Sequence, residues 1–314
     1  MGALILRRLL SLVLTLLLAS AAIFLVLEVL PGDPAAIQLG TSAREDTLAA
    51  LRTELGLDRP PAERYVAWLA GMAQGDLGIS MTYRVPVADL VADRLAITIP
   101  LALLAIVLST ALAVPLGVLA AANHEKVGDR AVMVFSQIGV AIPNFWFGLL
   151  LILFFSTYLG WFSAGGFPGW SEGVLPALQA LLLPAVALAL PQAAILARVT
   201  RSAVLDVLQE DFVRTARAKG LSRAVTLRRH VLRNALVPIA TIMGLQFSFL
   251  VAGAILVENV FTLPGLGRLV FQALAQRDLV VIKDVVLLLA ALVILVNFLV
   301  DLLYAYLDPR LKGG

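Results

Sequence analysis

The densest run of chemically distinctive residues is Glu210, Asp211, Phe212, Val213, Arg214, Thr215, Ala216, Arg217, Ala218, Lys219 and Gly220. Acids open the run and bases close it, which suits the dipole of a helix. At helical spacing Leu208, Phe212, Thr215, Ala216 and Lys219 share one stripe, with Asp211, Arg214 and Ala218 on a neighbouring face. Gly220 stands where a helix ends in a left-handed residue, and Ser222 can cap the helix that follows. Small Thr215, Ala216 and Ala218 would admit another protein surface close to the backbone. Two readings fit this pattern: a basic amphipathic segment on anionic headgroups, or a short helix plugged into a cytoplasmic partner. Composition does not choose between them.

Other chemistry is scarce. There is no cysteine, so disulfides, thiolate metal sites and cysteine nucleophiles are excluded, and His124 and His230 are too few for a histidine-rich metal site. None of Lys126, Lys219, Lys283 and Lys312 follows a glycine, so the chain lacks a Walker loop for ATP. No His-Glu-x-x-His pair and no Gly-x-Ser-x-Gly elbow occurs. We therefore expect no catalytic residue, no resident metal and no cofactor in this chain.

The elements that position the run are membrane spans. Of the 314 residues, 61% are hydrophobic and 14% charged, and mean hydropathy is +0.95, an apolar excess that belongs in lipid. A bilayer core about 30 Å thick needs about 20 apolar residues per helix. Six stretches qualify: Leu9 to Leu30, Leu95 to Ala122, Ala131 to Leu159, Leu175 to Ala197, Leu236 to Val257 and Val285 to Leu307. Arg7-Arg8 and Ala19-Ser20-Ala21 imitate a signal peptide, but the apolar run to Leu30 outlasts one, so a retained helix is expected. Pro100, Pro115, Pro143, Pro176, Pro184, Pro191 and Pro238 predict a packed, kinked bundle whose neighbours satisfy the freed carbonyls.

Lysines and arginines number 15 on the side of the N-terminus and 9 on the other, which predicts both termini inside. The Pro31 to Arg94 segment is then external. Thr47 to Leu57 and Ala62 to Ala73 have helical spacing there and predict a small cap. The basic Thr200 to Ala235 loop is internal, and Glu258 to Asp284 is external. Within the spans the acids are Glu28 and Asp301, both toward helix ends, so a proton- or voltage-driven device has little to work with. Gln137, Asn144, Gln192, Gln246, Ser248 and Asn297 read as interhelical hydrogen-bonding groups, some of which could line a solute path. Trp146, Trp161 and Trp170 suit interfacial belts.

The 210–220 run, followed by Arg233-Asn-Ala-Leu-Val-Pro238, resembles the cytoplasmic "EAA" loop of ABC importer permeases of the oligopeptide, dipeptide and nickel transport family. Leu30-Pro-Gly-Asp-Pro34, Leu55-Gly-Leu-Asp58 with Pro60, and Gly75-Asp-Leu-Gly78 with Ser80 are similar to that family's external segment. Arg94 with Thr98 and Pro100, Val257-Glu-Asn-Val-Phe261, Pro264-Gly-Leu-Gly-Arg-Leu269 and Asp308-Pro-Arg310 extend the similarity along the chain in order. The Glu-Ala-Ala triplet itself is replaced by Arg214-Thr215-Ala216.

The resemblance implies an all-α membrane protein with the type I ABC importer permease fold: six transmembrane helices, N-in and C-in, with an external segment between the first two. It implies residues 1–94 as the first helix and external segment, 95–307 as the transmembrane domain with a coupling loop at 200–235, and 308–314 as a cytoplasmic tail. Glu210 to Ala218 would be the coupling helix seated in an ATPase groove, and Gly220 its turn. Expected partners are a second permease subunit, two ABC ATPases that bind the ATP and magnesium, an extracytoplasmic solute-binding protein and bilayer lipid, in a bacterial inner membrane. Peptides, glutathione and nickel chelates are the solute classes of such permeases, with peptide the default. The rivals are a stand-alone secondary transporter or channel, which needs an internal repeat, a midplane ion site or a selectivity element, and a membrane scaffold with a basic recruiting loop.

Overall fold

The structure, a computed structural model, describes residues 2–29, 33–39, 44–54 and 56–307. Leu30 to Gly32, Leu55, the side chain of Asp301 and the 308–314 tail with Arg310 and Lys312 lie outside the described residues. In chain order the helices are α1 (Gly2–Val29), α2 (Pro34–Leu39), α3 (Glu45–Glu54), α4 (Pro61–Gln74), α5 (Val87–Ala122), α6 (Val127–Ala141), α7 (Asn144–Leu151), α8 (Val174–Leu208), α9 (Asp211–Ala218), α10 (Arg223–Thr226), α11 (Leu232–Val260), α12 (Leu266–Gln276) and α13 (Leu279–Leu307). A π-helical turn, Ile152–Tyr158, prolongs α7, and another, Leu227–Val231, joins α10 to α11. The described residues contain no strand beyond one isolated bridge, Ile79 to Pro86.

Among the described residues five helices are long and apolar enough to cross a bilayer, and a bent pair brings the number to six if it counts as one span. That pair, α6 and the Asn144–Tyr158 helix, turns by 99° instead of running straight from Ala131 to Leu159. Pro143 has no N–H to donate and pushes Ile142 out of the helical region, to φ −84° and ψ 122°. Pro100, Pro115, Pro184, Pro191 and Pro238 lie inside continuous helices. Pro176 falls in the first turn of α8, where the missing N–H costs nothing. The helices flanking the basic loop also overrun their expected ends. α8 continues to Leu208, and helical structure resumes at Arg223. Little of the 200–235 segment is therefore loop.

The chain divides into two compact units, one formed by Thr98–Leu263 with the chain from Val296 onward and the other by Gly2–Ile97 with Pro264–Leu295. The first is centred on α8, the most enclosed span, with 67% of its apolar window buried. Its alanines keep α8 narrow, so neighbours come close. A Cβ on Gly117 of α5 would lie 2.5 Å from Thr200 Cβ and 2.6 Å from Ala197 O, so only glycine fits. Some of the polar groups serve as interhelical ties. Gln246 Nε2 donates to the Gln192 carbonyl at 2.8 Å, and Ser248 Oγ to Asn297 Oδ1 at 3.1 Å.

In the second unit α1 is unbroken through Ala19-Ser20-Ala21, and Ser20 shares a 2.8 Å hydrogen bond with Tyr65 of α4. The expected cap helices exist as α3 and α4, with the additional short α2. Asp278 caps α13 by accepting the Val281 N–H at 3.2 Å, and its other oxygen takes the Ser80 hydroxyl at 2.5 Å and the Thr82 N–H at 2.9 Å. A buried carboxylate so used is structural. Trp68 Nε1 donates to Asp284 Oδ1 at 2.5 Å, fixing α4 against α13.

Candidate functional site

The run singled out in the sequence folds as α9, a two-turn helix between the end of α8 and the start of α10. Glu210 is extended at φ −67° and ψ 145° and its carbonyl accepts the Val213 N–H at 3.0 Å, so the chain reverses with Glu210 as the N-cap. The far end closes as a Schellman motif. Gly220, at φ +87°, donates its N–H to the Arg217 carbonyl at 3.0 Å, and Leu221 donates to Ala216 at 3.3 Å. Ser222 accepts the Val225 N–H and caps α10, as expected. Asp211 and Arg214 pair at 3.3 Å, but both side chains are exposed and the pair contributes little.

The expected stripe is split. Val213 and Ala216 are the buried residues of α9, at 1% and 7% exposure, while Phe212, Thr215 and Lys219 face outward with Arg214, Arg217 and Ala218. Val213 joins a cluster containing Ala203 and Val204 of α8, Val231 of the π turn and Ala235 and Ile239 of α11. Two small apolar side chains suffice to seat a helix this short. The larger Phe212 is left 41% exposed beside an open groove of about 420 Å³ lined by Arg229, His230, Arg233 and Asn234. A docked helix with an aromatic and several cations turned outward can bind a protein surface; it has no arrangement for bond-making chemistry.

A second cluster, not anticipated, holds the helix that feeds α9. Arg201 of α8 forks onto Asp129 of α6, Nε to Oδ1 at 2.5 Å and Nη2 to Oδ2 at 2.7 Å. Asp129 also accepts the Glu125 N–H at 2.9 Å and approaches His124 Nδ1 at 3.3 Å. The partners are 72 residues apart, so no local spacing announces the pair. The structure also joins two of the segments carrying the family resemblance: the Thr98 hydroxyl donates to the fully buried Glu258 at 2.6 Å. Among the described residues no group of three or more His, Cys, Asp or Glu could hold a metal ion.

Comparison with known proteins matches residues 113–313 to the family described as binding-protein-dependent transport system inner membrane component, and residues 1–102 to that family's N-terminal region. The chain belongs to this family. It is 42% identical over 312 residues to a probable peptide ABC transporter permease of Sinorhizobium fredii, covering 99% of this chain and all of the relative. It is 40% identical over 308 residues to a glutathione transport system permease of Escherichia coli K12, covering 98% of each. The inward-facing MetNI methionine ABC transporter shares the fold, with a TM-score of 0.59 at 21% identity over 70% of this chain and 96% of that one. The permease is thus a multi-pass inner-membrane subunit of an ABC importer with a type I importer permease fold, not an enzyme. Membership displaces the stand-alone transporter and scaffold readings.

Proposed function

We propose that this permease forms one half of the pathway of a peptide importer and that α9 is the element through which partner ATPases drive it. The relatives named for peptide and for glutathione, itself a tripeptide, support a peptide solute. In this reading a second permease subunit completes the pathway, two ATPases bind ATP and magnesium, and an extracytoplasmic binding protein delivers the solute. Both termini lie in the cytoplasm, in keeping with the 15 to 9 bias of basic residues. Residues 1–94 supply the first helix and external segment, 95–307 the transmembrane domain with its coupling loop at 200–235, and 308–314 the tail.

The observation that carries the proposal is the division of α9 into an anchoring face and a presented face. Val213 ties the helix to α8 and α11 and Ala216 is buried as well, so a push on Phe212, Thr215 or Lys219 moves the long helices rather than bending a loop. ATP-driven closure of the ATPases would displace α9 and favour one arrangement of the bundle, and hydrolysis would release it. The device works only if the ATPase contacts differ between the two states.

Ala216→Pro tests this in the reconstituted transporter. Proline removes an intrahelical bond and costs about 3 kcal/mol, more than a two-turn helix can absorb. ATP hydrolysis should cease to respond to solute-loaded binding protein, and a single cysteine at Thr215 should cross-link to an ATPase while one at Val213 does not. Hydrolysis that stays fully coupled in Ala216→Pro would refute the assignment.

A further inference from the structure

The second unit contains an open pocket of about 520 Å³ that the transport reading leaves unused. Its lining includes Phe24, Leu27 and Glu28 from the last turns of α1, and Leu279, Val280 and Lys283 from the first turns of α13. Both sets stand where an apolar span meets a polar segment, which is the depth of lipid headgroups. The pocket is therefore part apolar and part charged.

The charges do not balance. Arg52, Arg59, Arg64 and Lys283 face Glu28 and Asp33. Arg52 bonds Asp33, with Nη2 to Oδ2 at 2.6 Å, and Arg64 bonds Glu28 through Nη2. Arg59 and Lys283 have no carboxylate within 4 Å among the described residues; Lys283 rests 5.4 Å from the centroid of the Trp68 ring. Asp284, next along the helix, spends Oδ1 on Trp68. Arg64 Nε is buried and has no acceptor among the described residues, a donor that polar satisfaction requires something to meet. Among the described residues, two cations without a carboxylate within 4 Å and one unmet donor thus line a cavity whose other wall is hydrocarbon. A phosphate carried on an acyl-chain body satisfies both halves, whereas a free anion leaves Phe24, Leu27 and Leu279 uncovered.

We propose that this pocket binds the phosphate headgroup of an anionic membrane lipid, with Arg59, Arg64 and Lys283 as its donors and Phe24, Leu27 and Leu279 against its chains. Each basic side chain near an anionic headgroup contributes about fivefold in affinity. Native mass spectrometry of the purified full chain, titrated with phosphatidylglycerol, phosphatidylcholine or inorganic phosphate, reads the tightest site directly. The wild type should prefer phosphatidylglycerol, and Arg59→Gln should weaken it about fivefold and the Arg59→Gln/Lys283→Gln pair about thirtyfold. Phosphatidylcholine, whose phosphate is offset by its own choline cation, should bind more weakly and lose less affinity in the same variants. Arg44→Gln, at an exposed residue outside the lining, should alter neither lipid. Arg59 is itself exposed, so the single variant remains decisive if the double variant does not fold. Equal affinity for the two lipids, or indifference to Arg59→Gln, overturns the proposal. Displacement of phosphatidylglycerol by equimolar inorganic phosphate would assign the pocket to the free ion and overturn the lipid assignment. The readout is independent of transport, so it stands or falls separately from the role of α9.

Discussion

Removing Arg201 should loosen the packing of α8 on α6 about as much as removing Arg201 and Asp129 together. Asp129 is 3% exposed, and two of its four polar contacts come from the Arg201 guanidinium. Truncating Arg201 strands a buried carboxylate with the Glu125 amide and His124 alone. Stranding a buried charge costs about 3–5 kcal/mol. Arg201 is 22% exposed, so water can partly replace it and the low end, about 3 kcal/mol, applies. Asp129→Ala leaves the arginine, which can turn toward water, and costs about 2 kcal/mol. The double variant leaves no stranded charge and costs about 2–3 kcal/mol, so the cycle should show a coupling of about 2 kcal/mol.

The affected region is specific. Val132 and Val204, each three residues beyond a partner of the ion pair, lie in the cluster that receives Val213. The chain has no cysteine, so Val204→Cys, at a fully buried position, is a clean reporter of opening. Its alkylation rate under native conditions measures the open fraction. Arg201→Ala should raise that rate about a hundredfold, since each 1.4 kcal/mol is a factor of ten. In the double variant the rise should fall well short of the product of the two single effects. Strictly multiplicative effects, or a reporter unchanged by Arg201→Ala, would refute the reasoning that this pair holds α6 and α8 together.

Three further outcomes follow from glycine positions. Gly220→Ala meets no neighbour within 4 Å, so its cost is the left-handed backbone alone, about 1–2 kcal/mol; hydrogen exchange at Ala216 to Leu221 should speed up by roughly five- to thirtyfold, less in Gly220→Asn. Gly117→Ala would put its Cβ 2.6 Å from the Ala197 carbonyl, backbone that cannot swing aside; about 3 kcal/mol of overpacking should show as lost thermal stability of the assembled transporter. Gly128→Ala, where the nearest atom is 3.5 Å away, should be neutral or slightly stabilising in the same melting measurement.

Much of the fold was legible because bilayer thickness imposes a length rule that apolar runs obey locally. α5, α8, α11 and α13 contain the stretches read from hydropathy, α1 covers Leu9 to Val29 of the first, and α3 and α4 follow from helical spacing in the external segment. The ends of α9 were legible for the same reason: a dipole-matched run closed by Gly220 and a capping Ser222 are short-range signals. The 99° break at Ile142-Pro143 was not, because Pro100, Pro115, Pro184, Pro191 and Pro238 are chemically identical to Pro143 and remain within continuous helices. Whether a proline kinks or breaks a helix depends on which neighbours take up the freed carbonyls.

The inward face of α9 shows the same division. Periodicity grouped Phe212 with Ala216, yet Val213 and Ala216 are the buried residues of α9, Val213 within the cluster of α8 and α11, and the phenylalanine stays outside. Asp129 with Arg201, Thr98 with Glu258 and Trp68 with Asp284 pair across 72, 160 and 216 residues. The amino-acid sequence by itself determined that this chain lives in a bilayer, how many times it can cross and where a short amphipathic helix interrupts it, because those properties are set by neighbours along the chain. Only the tertiary structure decided which proline breaks, which face of α9 is presented and which charges are paired, because these depend on groups that meet through space.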